Sequence, residues 1–175
     1  MVKKVFIDGP DAIGKTTVCL WGAKKFNIPF IHLTVDDLNN RQAFSEIIMN
    51  NTSIIYDRFM GSEFVYSTLY NRVPKITYNE LLFLYNSIIS QNALYIILYT
   101  TDINILKQRL ITRGEYFYLE EIEKQNQLFF NLASRLDSDI HKYGLLINNF
   151  YYININNGYD YLYNLINTYF RKGIN

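Results

Sequence analysis

The sequence predicts an α/β fold: a three-layer α/β/α sandwich built on a five-stranded parallel sheet, with a helical lid. Three observations predict it. Short β-type runs alternate with helical patterns along all 175 residues, the signature of a parallel sheet covered on both faces. The apolar runs are strand-sized, as in Leu94 to Tyr99. The first run passes through a glycine-bearing turn directly into a helix.

Val2 to Asp8 reads as a buried strand, and Lys15 to Phe26 as a helix stopped near Asn27 and Pro29. Pro29 to Leu33 is the second strand. Ala43, Phe44, Ile47 and Ile48 recur at helical spacing, so Asn40 to Asn50 is a short amphipathic helix. Asp36 and Asp37 are read as caps for that helix. Ser53 to Tyr56 is the third strand, closed by Asp57, and a helix follows from about Ser62 to Tyr70.

Asn71 to Lys75 is a loop. Thr77 and Glu80 then form a capping box, hydroxyl and carboxylate each satisfying a free amide, and this helix runs to about Gln91. Leu94 to Tyr99 is the fourth strand, and Asp102 caps a helix reaching Arg113. Gly114 breaks the pattern before a long helix from about Leu119 to Tyr143, ended by Gly144. Phe150 to Ile155 is the fifth strand, Asn156-Asn157-Gly158 a turn, and Tyr159 to Arg171 the last helix. No repeat, linker or low-complexity segment interrupts this order, so residues 1–175 read as one domain.

Composition narrows the function classes. A formal net charge of +1 supplies no global field toward nucleic acid or an acidic membrane, so any bound anion needs a local device. The single cysteine, Cys19, forms no disulfide within the chain and fits a reducing cytoplasm, where it reads as a buried inert thiol. No segment has the pattern of a targeting signal or a membrane span. Tyr (16), Asn and Ile are abundant, the bias of AT-rich codons such as a virus or phage genome carries. His32 and His141 have no partners at metal-site spacing, and Trp21 reads as packing.

Gly9-Pro10-Asp11-Ala12-Ile13-Gly14-Lys15-Thr16 matches G-x-x-x-x-G-K-[ST] between a strand and a helix, the context that motif requires. Backbone amides around such a loop, with the positive end of the following helix, form an anion cradle; Gly9, Ala12, Ile13, Gly14, Lys15, Thr16 and Thr17 are its candidate residues. Lys15 brings a mobile positive charge to the β- and γ-phosphates, and Thr16 a hydroxyl for Mg²⁺. ATP and Mg²⁺ are therefore the expected cofactors.

Hydrolytic motors usually end a strand in Asp-Glu; here Asp57-Arg58 stands there, an arginine suited to a second anionic substrate. The Asn/Thr-Lys-x-Asp base-reading tetrapeptide of guanine-specific switches is absent. Arg109 and Arg113, four apart, share one helix face just before the Gly114 hinge. A hinged segment of about 113–120 carrying arginines at its entry suits a lid over a transferring phosphoryl group. Asp8 could orient a metal-bound water or simply end its strand.

The motif order resembles thymidylate kinase, a P-loop kinase family, over nearly the whole chain. Asp57-Arg58-Phe59-Met60-Gly61-Ser62-Glu63-Phe64-Val65-Tyr66 is similar to that family's Asp-Arg-Tyr/His-x-x-Ser-x-x-Ala/Val-Tyr segment. The resemblance implies that Arg58 binds the acceptor phosphate, Asp57 lies near Mg²⁺, Phe59 belongs to the acceptor site, Ser62 faces the base and Tyr66 crowds the sugar 2′ position. It implies that Asp11 engages the sugar 3′-hydroxyl, that Asn40-Arg41 contacts base and phosphate, and that Asn156 lies in the adenine-side loop. It also implies a homodimer. The family's Arg-Glu-Pro segment after the second strand is absent; His32-Leu33-Thr34 stands there. Ala12 replaces the arginine of one subtype, which leaves Arg109 and Arg113 as the lid's cations. The implied acceptor is dTMP or another deoxynucleoside monophosphate. A deoxynucleoside kinase, with Asp36 or Asp37 as base, and a non-catalytic nucleotide-binding module stand as alternatives.

Overall fold

Continuous apolar strands can be buried only if helices cover both faces of their sheet. The computed structural model, which describes residues 2–38, 40–145 and 149–172, has that arrangement. Five parallel strands, β1 (Lys4–Asp8), β2 (Phe30–His32), β3 (Ile54–Asp57), β4 (Leu94–Tyr99) and β5 (Phe150–Asn154), lie in the order β2-β3-β1-β4-β5. The helices are α1 (Lys15–Phe26), α2 (Arg41–Met49), α3 (Met60–Leu69), α4 (Tyr78–Ser90), α5 (Ile103–Thr112), α6 (Glu121–Lys142) and α7 (Asp160–Arg171).

Side chains of β1 alternate between two apolar cores. Phe6 packs with residues of α2, α3, α4 and α6, whereas Val5 and Ile7 pack with α1, α5 and α7. All five β1 residues are buried, and each large apolar side chain so enclosed contributes roughly 1.5–3 kcal/mol. The tyrosine-rich composition is absorbed largely here: Phe6 stacks on Tyr56 at 4.9 Å between ring centroids, and Trp21 meets Tyr163 at 4.5 Å.

Several boundaries move from expectation for local reasons. Helix α3 begins at Met60 rather than Ser62, because the Asp8 carboxylate accepts from the Phe59, Gly61 and Ser62 amides and so caps it. Asn40, whose side chain accepts from the Ala43 amide, caps α2; Asp37 instead closes a turn by accepting from the Thr34 amide and hydroxyl. The stretch after Gly114 opens with a short 3₁₀ turn at Tyr116–Tyr118 before α6 starts at Glu121, and Ile155–Asn157 forms another after β5. The capping box at Thr77 and Glu80, the Asp102 cap and the left-handed Gly144 beyond α6 stand where they were read. No described helix is long and apolar enough to cross a membrane.

Strand register positions the site. Ile7 pairs with Asp57, and His32 also pairs with Asp57, so the carboxyl ends of β1, β3 and β2 lie side by side. The loop leaving β1 runs along that edge, where open α/β sheets bind ligands.

Candidate active site

Gly14 adopts φ +89 and leads into α1 without a side-chain cap, so the first-turn amides remain available to a ligand. A Cβ there would lie 2.6 Å from the Tyr159 hydroxyl, which makes glycine necessary on two counts. Ala12 also adopts a positive φ, +57, as does Arg58 at +71. For non-glycine residues this is a strained conformation, and both lie at the carboxyl edge of the sheet.

Two adjoining cavities open on this edge. The larger, about 1050 Å³, is lined by Ala12, Gly14, Lys15, Thr16, Thr17, Asp57 and both Arg109 and Arg113. The smaller, about 440 Å³, is lined by Leu33, Leu38, Ser62, Glu63, Tyr66, Tyr70 and Arg72. Asp11, Arg58 and Tyr118 line both, so they stand at the junction.

Lys15 is buried and its Nζ donates to Gly9 O and Pro10 O, each at 2.8 Å. Burial lowers its pKa, against the raising pull of Asp57 and Asp11. Thr16 Oγ1 donates to Asp57 Oδ2 at 2.5 Å, and His32 Nδ1 lies 2.9 Å from the same oxygen. Asp57 Oδ1 is buried with no hydrogen-bond partner. Buried carboxylate oxygens are rarely left unpaired, so this orphan beside a threonine hydroxyl fits a hard cation or its bound water.

At the junction, Arg58 Nη2 donates to Asp11 Oδ1 at 2.8 Å and Tyr66 donates to the same oxygen at 3.1 Å. Burial pushes the Asp11 pKa up, but the charges of Lys15 and Arg58 more than offset this and hold it below the usual value. Burial, and then the Asp11 charge, push the Tyr66 phenol far up, so it remains a donor. Gln125, on α6 and fully buried, holds the cluster from behind. Its Oε1 accepts from the Asp11 amide at 3.0 Å, and its Nε2 donates to Asp11 Oδ2 at 3.3 Å and Glu121 Oε1 at 2.9 Å. In the small cavity, Arg72 makes a two-pronged pair with the buried Glu63, both bonds 2.7 Å.

Not every candidate reaches the cavities. Phe59 is fully buried in the core and contributes only its amide, to Asp8. Ser62 lines the small cavity, but its hydroxyl donates to Asp8 at 2.5 Å. Arg41 pairs with Glu80 at 3.2 Å and lies outside both cavities. Asn156 Oδ1 accepts from the Thr100 hydroxyl and Thr101 amide, tying β4 to β5, and the residue lines neither cavity. The Ile13 side chain is buried in the core, so the residue meets the site through its backbone alone, where its carbonyl accepts from Tyr159. Gly9 packs against β4, where a Cβ would lie 2.9 Å from Leu98 O. Asp8 is neither a metal-water group nor a mere strand end: besides capping α3 it accepts from the Tyr95 hydroxyl at 2.8 Å.

Gln125, Tyr159, Tyr118 and the Glu63–Arg72 pair were not singled out by sequence reasoning. Gln125 carried a usable signal, because it interrupts the otherwise apolar stripe Ile122, Phe129, Leu132 and Leu136 on α6.

No protein-family model matches the chain, and no curated protein matches it. Solved structures do. The YorR protein of Bacillus subtilis, in complex with phosphorylated GDP, is similar at TM-score 0.74 and 22% identity, covering 95% of this chain and 94% of that one. Deoxyadenosine kinase of M. mycoides with bound dCTP follows at TM-score 0.56 and 17% identity, covering 94% and 97%. A gluconokinase of Sinorhizobium meliloti is similar at TM-score 0.55 and 12% identity, covering 97% of each chain. At these identities the likeness establishes the fold, and that fold is the P-loop kinase α/β/α sandwich.

Proposed function

We propose that the chain is a phosphotransferase that moves the γ-phosphoryl group of Mg·ATP to a deoxynucleoside monophosphate, with dTMP as the leading acceptor. One observation carries this reading. The Arg58 guanidinium stands at the junction of the two cavities, while both carboxylates lining the smaller one, Asp11 and Glu63, are paired with arginines. A monophosphate arrives as a dianion that is already nucleophilic and needs cations to position it. A nucleoside hydroxyl needs a free base. Asp36 and Asp37 do not line the cavity, which disfavours the nucleoside alternative.

The larger cavity takes the donor. Backbone amides of the phosphate loop and the Lys15 ammonium hold the donor phosphates, and Arg58 holds the acceptor phosphate against them. Arg109 and Arg113 add positive charge on the donor side, where it offsets charge developing on the transferred group. Thr16 and Asp57 would hold Mg²⁺, which supplies charge neutralisation on the donor phosphates when bound. Transfer is direct and in line, without a covalent enzyme intermediate.

The test is a coupled ADP-release assay with Mg·ATP against dTMP, dUMP, other deoxynucleoside monophosphates, thymidine and other deoxynucleosides. Acceptor-dependent release with dTMP and none with thymidine is the expected result. Release with nucleosides alone would overturn the monophosphate assignment, and ATP binding without any turnover would identify a non-catalytic module.

A further inference from the structure

Tyr159, the residue immediately before α7, lines the donor cavity and reaches over the phosphate loop. Its hydroxyl donates to Ile13 O at 2.6 Å and accepts from Arg109 Nη1. The same Arg109 nitrogen donates to Ala12 O at 3.1 Å, and the guanidinium carbon lies 5.5 Å from the centre of the Tyr159 ring. Tyrosine, arginine and two successive loop carbonyls thus form one closed cluster.

The covalent geometry of the peptide gives this cluster a consequence. In a planar trans peptide, the carbonyl of one residue and the N–H of the next point in opposite directions. Holding Ala12 O on Arg109 and Ile13 O on Tyr159 therefore turns the Ile13 and Gly14 N–H groups away from those two side chains, which leaves them free for the anion. Without such restraint the Ala12 conformation at φ +57 is poorly favoured, and the loop can rotate those amides away. Gly14 also provides the room that the hydroxyl needs, since a Cβ there would meet it at 2.6 Å.

We infer that Tyr159, acting with Arg109, is a positioning residue that presets the phosphate loop for its anion by holding its carbonyls. The inference rests on the donor site proposed above and is independent of the acceptor's identity. It separates Tyr159 from a second possible role, that of a stacking platform for the donor base. The platform needs the ring; the preset loop needs the hydroxyl.

Tyr159→Phe keeps the ring and removes the hydroxyl. The probes are inorganic tripolyphosphate, ATP and adenosine, each measured by calorimetry or competition on the full-length chain. Loss of one or two hydrogen bonds that orient the loop is expected to weaken tripolyphosphate and ATP alike by about tenfold, with adenosine affinity unchanged. Arg109→Met, which frees the hydroxyl from its second partner and releases Ala12 O, is expected to act in the same direction. Unchanged affinity for all three probes in Tyr159→Phe would overturn the inference in favour of the platform, and equal weakening of adenosine and tripolyphosphate would overturn it by showing an effect not specific to the phosphate loop. Failure of the parent protein to bind tripolyphosphate would refute the phosphate-loop reading itself, a distinguishable result.

Discussion

Arg58 donates to Asp11 Oδ1 across 2.8 Å, so the end of β3 is tied to the phosphate loop through two residues that line both cavities. On the proposed function, an incoming phosphate would compete with Asp11 for the guanidinium, and Asp11 would then be released to accept from a substrate hydroxyl. Removing Arg58 therefore affects the acceptor more than the donor. Arg58→Ala is expected to raise the acceptor KM by about ten- to a hundredfold, the worth of a charge-assisted pair, while ATP affinity stays within about threefold. Steady-state kinetics with calorimetric ATP titration measures both, and equal losses would refute the assignment.

The same pair gives a pH signature. Although burial works against it, the Asp11 pKa is lowered by Lys15 and Arg58. A carboxyl with a depressed folded-state pKa contributes stability that is complete above its unfolded value, about 3.9, and is lost as pH falls through the folded value. Asp11→Asn should thus be less stable than the parent near neutrality by about 1 kcal/mol, a partly exposed pair being worth no more. The gap should close as the pH drops below the usual carboxylate value. Chemical denaturation over an acid series reads this directly, and a gap independent of pH would exclude the ion pair as its source.

The fold was legible because its signals are local. Strand-sized apolar runs, the Thr77 and Glu80 capping box, the Asp102 cap and the glycine-lysine loop each declare themselves within a few residues. The site was legible where one motif holds the residue in a fixed geometry, as with Lys15, Thr16, Asp57 and Arg58. It was illegible where function depends on contacts distant in the chain. Tyr159 meets Ile13 across 146 residues and Gln125 meets Asp11 across 114; the stripe on α6 marks Gln125 as a polar residue facing inward, but no local pattern names either partner. Phe59 and Arg41 show the converse: motif position suggested a ligand contact, but the core claimed one side chain and Glu80 the other.

Lys15 is held in its cationic form against burial, which lowers its pKa. Between that lowered value and the ordinary lysine value of 10.5 the unfolded chain binds more protons than the folded one, so stability rises with pH across that window. Lys15→Met keeps the stem and removes the charge. The gain from relieving a desolvated ammonium is offset by the unpaired Gly9 and Pro10 carbonyls, leaving the variant within about 1 kcal/mol of the parent. Its transfer rate should nevertheless fall by at least about a thousandfold, since the charge that follows the migrating phosphoryl group is gone. Denaturation midpoints together with single-turnover rates test this; a variant that loses stability and rate together would point to a structural lysine.

Gln125 ties the loop after β1 to the start of α6, because its amide bonds Asp11 on one side and Glu121 on the other. Glu121 in turn accepts from Tyr70, which lines the smaller cavity. Gln125→Leu fills the space but strands the Asp11 amide and removes a donor from two carboxylates, and about 2 kcal/mol of stability should be lost. Gln125→Glu preserves shape and reverses the chemistry, since a buried carboxylate would face Asp11 and Glu121. Burial and like charge both raise the pKa of the new carboxyl, so the folded variant binds a proton that its unfolded chain releases. Its deficit relative to the parent should therefore grow with rising pH and shrink as the pH falls and the new carboxyl becomes a donor again. Gln125→Leu lacks that titration, so its deficit should stay flat above the ordinary carboxylate range and shrink only in acid, where Asp11 itself takes a proton. Matched pH series of the two variants, read by denaturation midpoint and by acceptor KM, would separate a polar hub from a residue that merely fills the core.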